Sequence, residues 1–460
     1  MQHTSFVIIG AGPCGLGAAH RLQELGITDW GLFEKENYVG GLATSFCDPH
    51  GFWWDIGGHV QFSHYKYFDQ LMNQLLGKNW VMHDRESWVW IANRFVPYPF
   101  QLNIHRLPQN MRDECLEGLQ HLNKSQFQQQ PKNFAEWMIQ TSGTGIAKYF
   151  LLPYNFKVWA YPPKELNTSW VGERVATPNL QRIETNITNH RDDVAWGPNN
   201  QFRFPLTGGT GAIWKALGAK LPSKQLHVNH KVEYVNTAKH EITFADKTTV
   251  SYDHLISTVP LDWLVVNSDV SQKLKAATKQ LLHSTTHIVG IGLKGTPKLE
   301  LRTKCWMYFP ENNCPFYRVT VFSNYSPNNA PFGHWSLMAE VSESAHKHVD
   351  ENKLIHEVTQ GLKNTQLISE ADEVVSTWQY KTAYGYPTPS LNRDSALELI
   401  QPELMKRDVY SRGRFGMWKY EVSNQDHSLM QGKEVVDFLL NHEPEQTAWH
   451  PEIVNSSQKR

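Results

Sequence analysis

The feature that most constrains this chain is a glycine-spaced turn set between a short apolar run and an alanine-rich helix. Phe6 to Ile9 is continuously apolar and ends at Gly10, and Gly10-Ala11-Gly12-Pro13-Cys14-Gly15 leads into an amphipathic stretch from Cys14 to Leu25. A second apolar run around Gly31 closes at Glu34. Run, turn, helix and run together read as a βαβ unit. Glycines at the first, third and sixth positions, with an acid about 20 residues further on, form the dinucleotide-binding fingerprint. Gly10 makes the tight turn, Gly12 lets the backbone approach a pyrophosphate, and Gly15 lets helix and strand pack closely. Glu34 stands where it can accept the ribose hydroxyls.

The rest of the composition narrows the field. A chain of 460 residues is too long for one compact core, so two or three domains are expected. Lys+Arg number 44 against 45 Asp+Glu, which leaves no electrostatic case for a nucleic-acid or membrane-surface partner. An anionic ligand must therefore be met by a local cluster of cations. Cys14, Cys47, Cys115, Cys305 and Cys314 form no CxxC pair, so neither a metal site nor a disulfide framework is expected, and reduced thiols in a cytosol fit. Met-Gln-His-Thr runs straight into a strand without signal-peptide features, and no window approaches the roughly 18 apolar residues of a membrane span. These readings predict a soluble, cytoplasmic protein. Seventeen Trp and seventeen Tyr, many in Pro- and Gly-rich contexts such as Val-Pro-Tyr-Pro-Phe at 96–100, suggest aromatic loops lining a pocket.

Further along, apolar spacing through Met111, Cys115, Leu119 and Leu122, and again through Phe134, Trp137 and Met138, predicts helices in an inserted segment over 105–195. Strands are predicted over Val228 to Val235, Glu241 to Phe244, and Leu255 to Val259 beyond Val250. Four β-rich segments, His287 to Leu293, Cys305 to Phe309, Tyr317 to Phe322 and His334 to Val341, suggest an antiparallel sheet. A last helix is expected from near Asp426 to Leu440.

The glycine turn by itself does not separate nicotinamide from flavin cofactors. Val39-Gly40-Gly41-Leu42-Ala43-Thr44-Ser45 and Asp55-Ile56-Gly57-Gly58-His59 resemble the flavin-facing loops of amine-oxidase-like FAD proteins. Asn424-Gln425-Asp426-His427-Ser428 ahead of a helix would aim a positive helix end at the flavin pyrimidine, favouring a reduced, anionic flavin. The expected fold class is α/β: a Rossmann-like FAD-binding domain (1–79, 206–262 and 402–460), an inserted helical domain with mobile flaps (105–195), and an antiparallel β-sheet domain (80–104 and 263–401).

With those residues in place the chain resembles the eukaryotic UDP-galactopyranose mutases over nearly its whole length. The likeness is carried by Gly57-Gly58-His59-Val60, Phe62-Ser63-His64-Tyr65, Val96-Pro97-Tyr98-Pro99-Phe100-Gln101, Pro153-Tyr154-Asn155-Phe156-Lys157-Val158-Trp159, Gly172-Glu173-Arg174-Val175, Trp196-Gly197-Pro198-Asn199, the segment from Cys305-Trp306 through Tyr317-Arg318, Tyr386-Pro387-Thr388-Pro389 and Arg412-Gly413-Arg414-Phe415-Gly416. The resemblance implies that His59 lies beside the flavin and that Arg174 and Arg318 hold the UDP diphosphate, with Tyr308, Tyr386 and Tyr420 adding hydroxyl donors. It implies further that Tyr98, Gln101, Asn155 and Trp159 meet the uridine or the sugar, that Asn199 sits on a mobile flap, and that Arg414 and Asn424 lie close to flavin and substrate. Gly40, Gly41, Leu42, Ser45, Gly58, Val232, Gln425 and Ser428 complete the expected FAD site. A dianionic diphosphate in a chain of nearly zero net charge needs such guanidinium forks. Leu152 and Lys419 stand where the family pattern has arginine, and the stretch from Pro327 to Gly333 is short.

The implied activity is interconversion of UDP-galactopyranose and UDP-galactofuranose by redox-neutral covalent catalysis through N5 of reduced FAD. The implied external reductant is NADPH, with Arg85 and Ser87 as its contacts. A mutase for another nucleotide sugar, such as UDP-arabinopyranose or UDP-N-acetylgalactosamine, an amine-oxidase-like oxidoreductase, and a non-catalytic flavin-binding module remain open alternatives, as does assembly into a homo-oligomer.

Overall fold

The structure, a computed structural model, describes residues 2–122, 130–194, 196–197, 199–456 and 459–460. Pro198 of the Trp196 to Asn199 run, Ala195, and residues 123–129 of the helical segment lie outside the described residues.

The βαβ unit is a strand at Gln2–Ile9, a helix at Pro13–Glu24 and a strand at Trp30–Phe33. The first strand starts four residues ahead of the apolar run because Thr249–Ser257 pairs with it in parallel along its full length, Gln2 opposite Val250 and Ile9 opposite Ser257. Strand order in this sheet is Val232–Asn236, Glu241–Phe244, Thr249–Ser257, Gln2–Ile9, Trp30–Phe33, Leu226–His227, with Val409–Ser411 also pairing on Thr249–Ser257. Both faces are covered, which is why its central strands read as unbroken apolar runs. Ile8, Leu32 and Ile256 pack on Leu16, Trp214 and Leu429 on one side. Val7, Ile9 and Leu255 meet Leu264, Ile400 and Leu404 on the other. The strand expected from Val228 starts instead at Val232, because Asn229 takes a positive φ of 58° and turns the chain just before it.

The expected last helix spans Gln425–Asn441 and lies against Pro13–Glu24. Glycines set that approach: a Cβ on Gly432 would come within 1.9 Å of the Cys14 carbonyl oxygen, and one on Gly17 within 2.5 Å of the Leu429 carbonyl oxygen. The N-termini of both helices line one cavity.

The second sheet runs in the order Val374–Pro387, His283–Lys294, His334–Glu343, Arg318–Val321, Trp306–Tyr308, Ser87–Ile91, Arg94–Pro97. Its pairings are antiparallel except that Trp306–Tyr308 runs parallel to Ser87–Ile91. A parallel pair needs a long crossover, and more than 200 residues of intervening chain supply it. The strand Val374–Pro387 was not anticipated: it lies at the sheet edge with many of its residues part-exposed or exposed, so its apolar alternation is diluted by Ser, Gln, Lys and Gly. Helices at Gln109–Gln120, Phe134–Ile146, Leu152–Trp159 and Leu180–Asn189 bury a separate core that includes Cys115, Met138, Phe150 and Ile183. Asn133 and Asn179 cap two of them by accepting the Glu136 and Arg182 amides, each at 2.9 Å. No helix among the described residues is long and apolar enough to cross a membrane.

Candidate active site

A cavity of 710 Å³ opens among the two sheets and the helical segment, and the glycine turn forms one wall of it. Gly10 has φ +94°, and a Cβ there would lie 2.3 Å from Thr258 Oγ1. A Cβ on Gly15 would lie 1.9 Å from the Gly10 carbonyl oxygen, so Gly15 serves packing and not the cavity surface. In front of Gly12 the nearest atom to a built Cβ is Gly41 Cα at 4.0 Å, which leaves the space that a close-approaching pyrophosphate requires. Glu34 is buried but reaches the wall, its Oε2 accepting the Ala11 amide at 2.7 Å and its Oε1 the Glu36 amide at 3.0 Å. Gly41, Leu42, Gly58 and Val232 line the same space.

Gly40 and Ser45 do not line it. Gly40 turns the chain at φ +106° and donates its amide to the Ala11 carbonyl at 2.8 Å. Ser45 donates its hydroxyl to Asp55 and accepts the Gly211 amide at 2.7 Å. Burial pushes the Asp55 carboxyl up to about 7.

Opposite the glycine turn, Asn424, Gln425, Asp426 and Ser428 bring the start of the Gln425–Asn441 helix to the cavity. Gln425 is fixed by the Trp214 indole N–H at 2.8 Å. Two histidines absent from the expected site residues brace this helix start. His64 Nδ1 lies 2.8 Å from Asp426 Oδ2, and the Tyr65 hydroxyl lies 2.8 Å from His427 Nδ1. Two helix N-termini thus face one cavity with free backbone donors and positive dipole ends. Together with the open face of Gly12 and the acid at Glu34, they fit an elongated cofactor carrying a pyrophosphate and an electron-rich ring.

His59 also lines the wall, its ring Nδ1 buried without a hydrogen-bond partner. Burial pushes its imidazole down to about 4, so the ring is neutral near pH 7.

The cationic side of the cavity carries Arg85, Arg174, Arg318 and Arg414. Arg318 binds Glu340 through Nε at 2.7 Å and Nη2 at 2.8 Å. Arg174 donates Nη2 to the Glu421 carbonyl at 2.8 Å and stacks 4.8 Å from the Tyr420 ring centre, while its Nε is buried without a partner. Arg414 bonds the Gly385 carbonyl at 2.9 Å and Ser423 Oγ at 2.8 Å, and lies 5.0 Å from the Tyr386 ring centre. Tyr98, Tyr308, Tyr386 and Tyr420 line the same side. Burial raises the hydroxyls of Tyr98, Tyr308 and Tyr386, so these three stay neutral donors. Arg85 bonds Asn199 Oδ1 at 2.7 Å and the carbonyls of Val194 and Trp196, holding the segment expected to be a flap.

Gln101, Asn155 and Trp159 stand behind this wall and do not line the cavity. Gln101 Nε2 is given to the Ala176 carbonyl at 2.9 Å and Asn155 Nδ2 to the Leu151 carbonyl at 2.8 Å. Trp159 is 1% exposed and packs edge-on against Tyr420 and Tyr386, with ring centres 4.9 and 5.8 Å away. Ser87 is likewise buried and away from the wall. Glu340 escaped the sequence reading; its signal would have been the register that sets Arg318 directly opposite it on the neighbouring strand.

Comparison with known proteins places the chain in a family. The flavin containing amine oxidoreductase family matches residues 13–412. A curated relative from Dictyostelium discoideum, "Probable flavin-containing monoamine oxidase A", is 30% identical over 113 residues, so the chain spans about a quarter of that relative's length (24%) and uses 25% of its own. The structure of wild-type putrescine oxidase bound to putrescine superposes with a TM-score of 0.65 at 15% identity, covering 95% of this chain and 99% of that one, a likeness of fold alone. The crystal structure of a reduced UDP-galactopyranose mutase superposes with a TM-score of 0.97 at 49% identity, covering 99% of this chain and 98% of that one. The chain belongs to the flavin containing amine oxidoreductase family and, within it, to the UDP-galactopyranose mutases.

Proposed function

We propose that this protein interconverts UDP-galactopyranose and UDP-galactofuranose without net oxidation, using reduced FAD. The observation that carries the reading is that a nucleotide-binding glycine turn and a cluster of arginines and tyrosines open onto one cavity. The 49% identity to a reduced mutase supports it. The Gly10 to Gly15 turn and Glu34 would hold the ADP half of FAD; Gly41, Leu42, Gly58 and the Asn424 to Ser428 helix start would hold the ring. When bound and reduced, the flavin supplies a nucleophilic nitrogen, which a ring contraction at constant oxidation state requires.

This chain's own residues have three tasks. Arg174 and Arg318, with hydroxyls of Tyr308, Tyr386 and Tyr420, bind the diphosphate, stabilise it as a leaving group and keep it in place for its return. Neutral His59 and the helix start at Asn424 set the electrostatics beside the ring, favouring negative charge on it. The aromatic walls, with Asn199 on the segment latched by Arg85, exclude water that would divert the sugar to hydrolysis. Tyr98 is assigned to the substrate, with Gln101, Asn155 and Trp159 supporting the wall from behind.

NADPH is the proposed external reductant, with Arg85 as its contact in the wall. The six sequence segments expected above act as three domains: a discontinuous FAD domain (1–79, 206–262 and 402–460), a helical substrate domain (105–195) and a sheet domain (80–104 and 263–401). Five cysteines without a disulfide among them support a reducing cytoplasmic compartment. Anaerobic competition among UDP-galactopyranose, UDP-arabinopyranose and UDP-N-acetylgalactosamine, followed by chromatography, tests the substrate. The galactose compound should have the highest kcat/KM. Preference for either rival, or oxygen consumption driven by an amine, would overturn the assignment.

A further inference from the structure

Glu340 is 1% exposed, yet it reaches the cavity wall beside the anion-binding arginine. Strand register places it directly across from Arg318. Its two oxygens are shared among four donors: Arg318 Nε at 2.7 Å and the Gly58 amide at 3.0 Å on Oε1, Arg318 Nη2 at 2.8 Å and the Tyr317 hydroxyl at 2.7 Å on Oε2. Burial opposes its ionisation, but Arg318, Tyr317 and the Gly58 amide outweigh burial and hold the carboxyl below its usual value.

Two engaged donors leave Arg318 its Nη1 pair and the second Nη2 hydrogen for an incoming anion. The space is tight: a Cβ on Gly58 would sit 2.8 Å from Thr320 Oγ1, 3.3 Å from Glu340 Oε1 and 3.4 Å from Arg318 Cζ. Next along the chain from Gly58 is His59. A carboxylate this close to a phosphate clamp works against anion affinity by charge. Its place is explained by geometry and not by attraction.

We infer that Glu340 is a positioning residue that couples the diphosphate clamp to the flavin-facing loop, one carboxylate fixing Arg318 on one side and the Gly58–His59 segment on the other. The inference rests on the proposed reading of Arg318 as a phosphate ligand. It separates affinity from alignment. In FAD-loaded protein, Glu340→Gln should bind UDP as tightly as wild type or more tightly, while kcat falls about 10²-fold because leaving group and ring no longer align. UDP should change the flavin absorbance of wild type, and that change should be lost in Glu340→Gln at saturating UDP. The double variant with Arg318→Ala should turn over no more slowly than Arg318→Ala alone.

A Glu340→Gln enzyme with kcat within about threefold of wild type and a full UDP-induced flavin change overturns the inference, as do additive losses in the double variant. Should Glu340→Gln not accumulate with FAD, Glu340→Asp keeps the charge but withdraws the oxygens by one methylene; it should show the same loss of kcat at preserved UDP affinity, and unimpaired kcat would count equally against the coupling. Wild type that binds no UDP refutes the substrate reading and this inference together. Wild type that binds and turns over beside an unimpaired Glu340 variant refutes the inference alone.

Discussion

Arg174 and Arg318 are assigned the same ligand, yet the structure predicts that removing them has different consequences. Arg174 touches the protein through one carbonyl, that of Glu421 at 2.8 Å, and through the face of Tyr420. Truncating it leaves no buried carboxylate behind. Its loss should therefore appear almost entirely in ligand affinity, at about 2–4 kcal/mol for a desolvated charge-assisted phosphate contact. At about 1.4 kcal/mol per tenfold, that is a rise in the UDP Kd of roughly 30- to 700-fold. Arg318 is the bidentate partner of Glu340, whose side chain is 2% exposed. Arg318→Ala should add to the same affinity loss about 3–5 kcal/mol of lost stability, because an uncompensated carboxylate stays buried. Arg318→Lys should recover part of the stability but little of the affinity, since a point charge cannot reproduce the two-pronged contact. Calorimetric titration of FAD-loaded protein with UDP, beside chemical denaturation of the same samples, reads both quantities. Unchanged UDP affinity in Arg174→Ala and Arg318→Ala refutes the clamp. Equal stability losses in the two refute the reasoning about Glu340.

Gly15→Ala and Gly432→Ala each place a methyl 1.9 Å from a backbone carbonyl oxygen, so purified protein from either should be depleted of FAD or fail to accumulate, and a normal flavin-to-protein absorbance ratio would contradict the packing account. Burial lifts Asp55 from 3.8 to about 7, so the unfolded carboxyl gives up its proton at lower pH than the folded one. The stability tied to its protonated form is complete below the unfolded value and lost as pH rises through the folded one. Asp55→Asn should accordingly show a smaller drop in unfolding midpoint between about pH 5 and about pH 8 than wild type, and an identical drop would contradict the assignment. NADPH should activate oxidised enzyme with far less than one equivalent used per turnover, whereas stoichiometric consumption would favour an oxidoreductase.

The glycine turn was legible because backbone geometry dictates it: Gly10 must take a positive φ, and a side chain on Gly15 would collide with the Gly10 carbonyl oxygen. The Gln425–Asn441 helix was readable to within a residue at each end. Non-local features were harder to read. The Arg318–Glu340 pair depends on the register between two strands. The edge strand Val374–Pro387 has too little burial to impose alternation on its sequence. Gln101 and Asn155 carry polar groups suited to a ligand, but their amide nitrogens donate to the carbonyls of Ala176 and Leu151. Sequence spacing gives no sign of that competition.

The central claim is that this cavity rearranges a nucleotide sugar only when its flavin is reduced, and without consuming electrons. Its most direct measurement is anaerobic incubation of purified enzyme with UDP-galactofuranose, oxidised in one sample and dithionite-reduced in the other, with separation of the nucleotide sugars over time. The reduced enzyme should convert the substrate to UDP-galactopyranose over many turnovers while the flavin stays reduced, and the oxidised enzyme should leave it unchanged. Equal conversion by the oxidised enzyme, or flavin reoxidation in step with product, would contradict the claim.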